Sequence, residues 1–99
     1  MSGGDWKAMF KAIQIGDFNL VEFYLKMGID PNYQHPEYMA APLVESIRFD
    51  HFEITKLLLE HGANPQIKEV MGSETPMLVA QLKKNEEVIN LLKLYIEKK

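Results

Sequence analysis

The sequence of 99 residues contains no cysteine. A disulfide framework, a thiolate zinc site, an iron–sulfur cluster and a thiol nucleophile are thereby excluded, so a chain of this size must be held by packing alone. Long apolar runs are missing as well. No stretch approaches the roughly 18 uninterrupted apolar residues of a membrane-spanning helix, and Met1-Ser2-Gly3-Gly4-Asp5 has neither the cationic region nor the apolar run of a signal peptide. The cytoplasm is the expected compartment, and no membrane is expected among the partners. Basic blocks are scarce: eleven Lys plus Arg stand against fourteen Asp plus Glu, for a net charge of -3, and no basic run is longer than Lys98-Lys99. Such a balance gives phosphate backbones little to attract, and no nucleic acid is expected as a partner. Glycine occurs as Gly3, Gly4, Gly16, Gly28, Gly62 and Gly72, without the G-x-G-x-x-G or Walker spacing that cradles a phosphate. What is present is ordinary for an ordered domain: 46% of residues are hydrophobic, 25% charged and 10% aromatic, far too apolar for a disordered tail.

The informative feature emerges when the chain is laid over itself at an offset of 34. Ala12, Ser46 and Ala80 coincide as small residues, and Leu20, Ile54 and Val88 as aliphatics. Phe23 matches Leu57 and Leu91, and Tyr24 matches Leu58 and Leu92. Gly28-Ile29-Asp30-Pro31 falls on Gly62-Ala63-Asn64-Pro65, and Pro42-Leu43 on Pro76-Met77. Each unit reads as two short helices and a turn. In the middle unit Pro42 suits a first helical position, where its missing N–H costs nothing, and Leu43, Ser46 and Ile47 then share one face. A second helix carries Ile54, Leu57 and Leu58 inward and closes at Gly62. Asp17, His51 and Asn85 stand in register at the second-helix starts, where Asp and Asn are good N-caps. Both helices are shorter than the roughly 12 to 15 residues at which an isolated helix becomes marginal, so stacked neighbours must supply the core.

Ala41-Pro42-Leu43, followed by the run Ile54-Thr55-Lys56-Leu57-Leu58-Leu59-Glu60-His61-Gly62-Ala63-Asn64-Pro65, resembles an ankyrin repeat. The family's unit opens with Thr-Pro-Leu and a small residue further on, and its second helix ends in Leu-Leu with Gly-Ala-Asp or Gly-Ala-Asn beyond. Thr75-Pro76-Met77 with Ala80 repeats the opening, and Leu25-Lys26-Met27-Gly28-Ile29-Asp30 repeats the close. The resemblance covers Trp6 to Ile96 and implies an all-α ankyrin repeat solenoid: three stacked helix-turn-helix units with finger loops. Residues 1–5 are then a flexible lead, 6–99 a single domain, and the repeats run about 6–34, 35–68 and 69–99. The first unit lacks Thr-Pro, having Lys7-Ala8-Met9 there, and the last lacks Gly-Ala, as expected of atypical capping repeats. Asp5 is the expected N-cap of the first helix, and Lys98 and Lys99 complement the negative end of the last. The period exceeds the family's usual one by a residue, most simply placed in a finger, Tyr33 to Ala40 or Ile67 to Glu74.

No set of acid, base and nucleophile converges, so an enzyme is not expected, and no cofactor is called for. His61 precedes Gly62 at a helix end, where a histidine complements the dipole. His51 is expected to hydrogen-bond neighbouring loops. His35-Pro36-Glu37 offers two ligands where a metal wants three or four, so no metal site is expected. The Ile54 to Leu59 stripe reads as core, the runs at Lys83 to Glu87 and Glu97 to Lys99 as wet surface, and Trp6 as a cover over the first end of the stack.

In ankyrin proteins the fingers and the exposed side of the first helices line a concave groove, and the resemblance implies that another protein is recognised there. The first-helix ends are Gln14 and Ile15, Arg48 and Phe49, Leu82 and Lys83; the fingers add His35, Glu37, Tyr38, Met39, Glu69 and Met71. Phe49, Tyr38 and Arg48 are of the types that dominate binding energy, and Met39 and Met71 supply adaptable apolar area. Against this stands the alternative that Phe49 and Tyr38 pack on the adjoining finger. The function expected is therefore a non-enzymatic interaction module, monomeric when free. An immunity-type or regulatory inhibitor of a cognate toxin or enzyme is one alternative, and a structural fragment of a longer repeat array is the more distant one.

Overall fold

Six helices follow one another along the chain in the computed structural model, which describes residues 3–98; these include no strand. They are α1 (Gly3–Ile15), α2 (Phe18–Lys26), α3 (Pro42–Arg48), α4 (Phe52–Glu60), α5 (Pro76–Leu82) and α6 (Glu86–Glu97). Pro42 and Pro76 open α3 and α5, where a missing N–H leaves no intrahelical bond unmade. The side chains of Asp17, Thr75 and Asn85 cap α2, α5 and α6, accepting from the N–H groups of Leu20, Leu78 and Val88 at 3.2 Å each. His51, in register with Asp17 and Asn85, makes no such cap at α4.

His51 instead joins two repeats. Its Nε2 lies 3.1 Å from the carbonyl oxygen of Gln14, a bond that the Nε2–H tautomer donates. The ring can lie there because the residue beneath it is Gly16: a Cβ at that position would meet His51 Cε1 at 2.7 Å. Gly16 also has φ +83, in register with the left-handed Asp50 and Lys84 that turn the chain between first and second helices in the other units.

The first helices α1, α3 and α5 pack side by side in one layer, and α2, α4 and α6 in a second behind them. Between the layers lie Met9, Ile13, Val21, Leu43, Ile47, Ile54, Leu58, Val88 and Leu92, all fully buried. The buried hydroxyls of Ser46 and Thr55, 2.8 Å apart, tie α3 to α4. Side-chain amides link the turns of successive units. Asn32 Nδ2 donates to the Gly62 carbonyl (3.1 Å) and its Oδ1 accepts from Asn64 N–H (2.7 Å), while Gln34 Nε2 donates to the Lys68 carbonyl and its Oε1 accepts from Val70 N–H. Asp30 and Asn64, in register, close the same local turn by accepting from the N–H two residues on.

Several expectations are revised. Helix α1 begins at Gly3, so Asp5 sits in its first turn rather than at the cap, and Gly3 to Asp5 are helical rather than a lead; Met1 and Ser2 lie outside the described residues. Lys98 is the C-cap of α6, with its ammonium 4.8 Å from the centre of the Tyr95 ring, whereas Lys99 lies outside the described residues. Leu20 and Leu91 are half-buried and Phe23 is exposed, although Ile54, Val88 and Leu57 at matching positions are buried. The outer helices of the end repeats have a packed neighbour on one side only, which leaves part of each without cover.

Candidate protein-binding face

The first finger folds back over α1. Trp6 stacks on Phe10 with ring centres 4.8 Å apart, and the edge of Tyr38 meets both rings, at 5.5 Å from Trp6 and 5.3 Å from Phe10. Trp6 Nε1–H donates to the Tyr33 carbonyl (3.0 Å), and the imidazole of His35 lies over the indole at 5.6 Å. His35 Nδ1 accepts from Glu37 N–H at 3.1 Å, which bends the finger tip. Lys7 Nζ then clamps the tip to the helix through Glu37 Oε1 at 2.6 Å. That hydrogen bond raises the Lys7 pKa above its ordinary value against an opposing burial cost, with the charge of Glu37 adding to the rise, and it lowers the Glu37 pKa below the usual glutamate value. Tyr38 and His35, expected to meet a partner, thus spend much of their surface on Trp6.

A second knot lies between α3 and the following finger. The Arg48 guanidinium binds three carboxylates: Glu45 one turn earlier (2.8 Å), Glu69 through both amino groups, and Glu74 just before α5. Glu45 also accepts from Gln14 Nε2 (2.8 Å), and Glu69 from Ala41 N–H (2.9 Å), so one network runs across all three units. Burial works against the charge of Arg48, but the hydrogen bonds to Glu69, Glu74 and Glu45 and the negative charge of Glu69 outweigh it and raise its pKa above the ordinary arginine value. This overturns the expectation that Glu69 faces a partner: it is only 4% exposed, with both oxygens turned inward. Arg48 and Gln14 are likewise engaged within the chain.

The apolar residues of the expected set, apart from the aromatic cluster, are exposed. Ile15, Phe49 and Leu82 are exposed at the ends of α1, α3 and α5, and Met39 and Met71 are exposed in the fingers. Lys83 reaches Asp50 at 3.4 Å, which places the end of α5 beside the end of α3. Leu78, exposed one turn before Leu82, was not among the expected residues. Leu78 is in register with Phe10 and Val44, which are buried.

Two layers of helices, turns linked by side-chain amides and fingers folded over the first helices make up the architecture on which the family's pattern rests. Residues 5–99 match the family of ankyrin repeats in three copies. The chain belongs to the ankyrin repeat family. Among ankyrin-containing relatives, the human 2-5A-dependent ribonuclease is 34% identical over 74 residues, which cover 75% of this chain and 10% of the relative. The ankyrin repeat and KH domain-containing protein mask-1 of Caenorhabditis elegans is 30% identical over 87% of this chain and 3% of its own length. An ankyrin repeat protein of Acanthamoeba polyphaga mimivirus is 31% identical over 79% of this chain and 47% of its own. The chain thus spans less than half the length of each of these relatives. Ankyrin repeats are in general protein-binding modules without catalysis of their own, and among the described residues no group of three or more His, Asp or Glu could hold a metal ion. No helix among them is long and apolar enough to cross a membrane.

Proposed function

We propose that this ankyrin stack acts by binding another protein on the concave face formed by its first helices and fingers, without catalysing a reaction. The observation that carries the proposal is the exposed pair Ile15 and Phe49, in register at the ends of adjacent first helices, with Leu82 exposed near the end of the third. Apolar side chains there contribute nothing to the core, and large apolar groups at a shared edge are what a partner's surface can bury. The free chain is a monomer and works in the cytoplasm; sedimentation and fractionation check these two points. Binding is tested by capture with wild type and with Phe49→Asp, using Phe23→Asp on the outer helix layer as a control. A partner lost with Phe49→Asp and retained with Phe23→Asp supports the concave face, and the reverse pattern overturns it.

A further inference from the structure

Three successive N–H groups at the tip of the first finger end on one residue. The His35 carbonyl accepts from Tyr38 N–H at 2.9 Å and from Met39 N–H at 2.7 Å, and the imidazole Nδ1 accepts from Glu37 N–H at 3.1 Å. The last of these is the same bond, to the N–H two residues on, that Asp30 and Asn64 make with a side-chain oxygen at 2.8 and 3.0 Å. An amide or carboxylate oxygen goes on accepting through the neutral range, whereas Nδ1 accepts only while it carries no proton. The second finger is tied in another way. Glu69, in register with His35, donates its N–H to the Glu74 carbonyl and sets its carboxylate on Arg48 and on Ala41 N–H.

The imidazole is confined: its side chain is only 14% exposed, over Trp6 at 5.6 Å and against Tyr38 at 5.7 Å and Tyr33 at 6.3 Å. The charged and titratable groups about it are Asp5 and Lys7 in the first turns of α1, Tyr33, Glu37 and Tyr38 in its own finger, and Lys68 and Glu69 in the second finger, which Gln34 joins to the first. Among the described residues Glu37 has the one carboxylate at ion-pair distance from the ring, with Oε1 3.8 Å from Nε2 and 2.6 Å from Lys7 Nζ. Protonation of His35 therefore acts twice on Glu37. It sets a ring N–H against the backbone N–H, where no hydrogen bond can form, and it makes the imidazolium a competitor of Lys7 for the carboxylate. The lost bond releases the backbone and the new attraction draws the side chain, so both move the tip from its present turn.

We propose that His35 is a pH-operated catch on the first finger: with a neutral ring the tip lies closed over Trp6, and protonation of the ring releases it at Glu37 and Tyr38. The second finger, held by Arg48 and Glu69, keeps its place. For a partner on the concave face, a consequence that rests on the function proposed above, Tyr38 and Met39 are the contacts that acidification displaces.

An NMR titration of the isotope-labelled protein from about pH 8 to about pH 5, the interval in which histidine is the side chain that commonly changes charge, tests this. The amides of Glu37 and Tyr38 and the indole N–H of Trp6 are expected to shift with one midpoint, shared with the ring carbons of His35 and not with those of His51 or His61. His35→Asn supplies the kind of oxygen that Asn64 uses, and is expected to hold those three signals still over the same interval. Lys7→Met moves the titration of the Glu37 carboxyl itself, and the step that follows His35 is expected to persist in it. Glu37 and Tyr38 amides that stay constant while His35 protonates overturn the proposal, as does a step that follows His51 or survives His35→Asn. The signals are read without a partner, so their outcome is independent of whether the concave face binds one.

Discussion

Arg48 and Phe49 are neighbours in sequence and were equally eligible as contact residues, yet the structure gives them opposite work. Arg48 neutralises Glu69, which is buried with its oxygens turned inward, while Phe49 caps α3 with its ring in solvent. Arg48→Met is therefore expected to destabilise the fold by about 2–3 kcal/mol, somewhat less than for a fully buried pair because the guanidinium is partly exposed. Phe49→Ala is expected to cost less than about 1 kcal/mol. Urea unfolding of the two variants measures the contrast, and equal losses would contradict it. The Lys7 and Glu37 pair gives a pH signature with a definite sign. Glu37 has a lowered pKa, so its share of the clamp is in place above the ordinary glutamate value and is lost as pH falls through the lowered one. Lys7 has a raised pKa, so its share holds below the ordinary lysine value and disappears as pH rises through the raised one. Carboxyl NMR is expected to show Glu37 titrating below an ordinary glutamate, and Lys7→Met to return it to normal.

Among the elements, the three second helices begin at register-matched residues, but their starts are stabilised differently. Asp17 and Asn85 cap their own helices, whereas His51 bonds to the preceding unit. Asn85→Ala is expected to cost about 1 kcal/mol, the usual value of a lost N-cap, and hydrogen exchange should show the loss concentrated in α6. His51→Ala leaves no cap unmade, so its effect should appear instead at the junction of the first two units. Exchange that rises only within α4 would contradict that role. The fingers show how far the repeat pattern reached. Pro42, Pro76 and the caps were legible because each acts on its own backbone. The folding of Tyr38 onto Trp6, across more than thirty residues of sequence, depended on the finger's path, which no local pattern encodes.

For the whole molecule, a core strung along a stack makes every unit depend on its neighbours. Leu58 is completely buried in the central repeat, so Leu58→Ala is expected to cost about 2–5 kcal/mol. Trp6, the one tryptophan, lies in the first repeat, so its fluorescence reports that end while far-UV circular dichroism reports all six helices. The two signals should lose midpoint together in Leu58→Ala. A first repeat that keeps its fluorescence transition while the helix signal falls would show that the units unfold independently.

The sequence by itself determined the period, the pairing of helices within each unit and most of the residues that fill the core. These follow from local spacing: which side chains share a helix face, and where proline, glycine and small polar residues start or stop a helix. Only the tertiary structure decided which polar and aromatic residues of the fingers remain for a partner. Glu69 looked otherwise from its surroundings in sequence, and it was settled by what stands next to it in the stack: the Arg48 guanidinium over its carboxylate. Cover at such positions comes from the following repeat and its finger, so it is a property of neighbours in space.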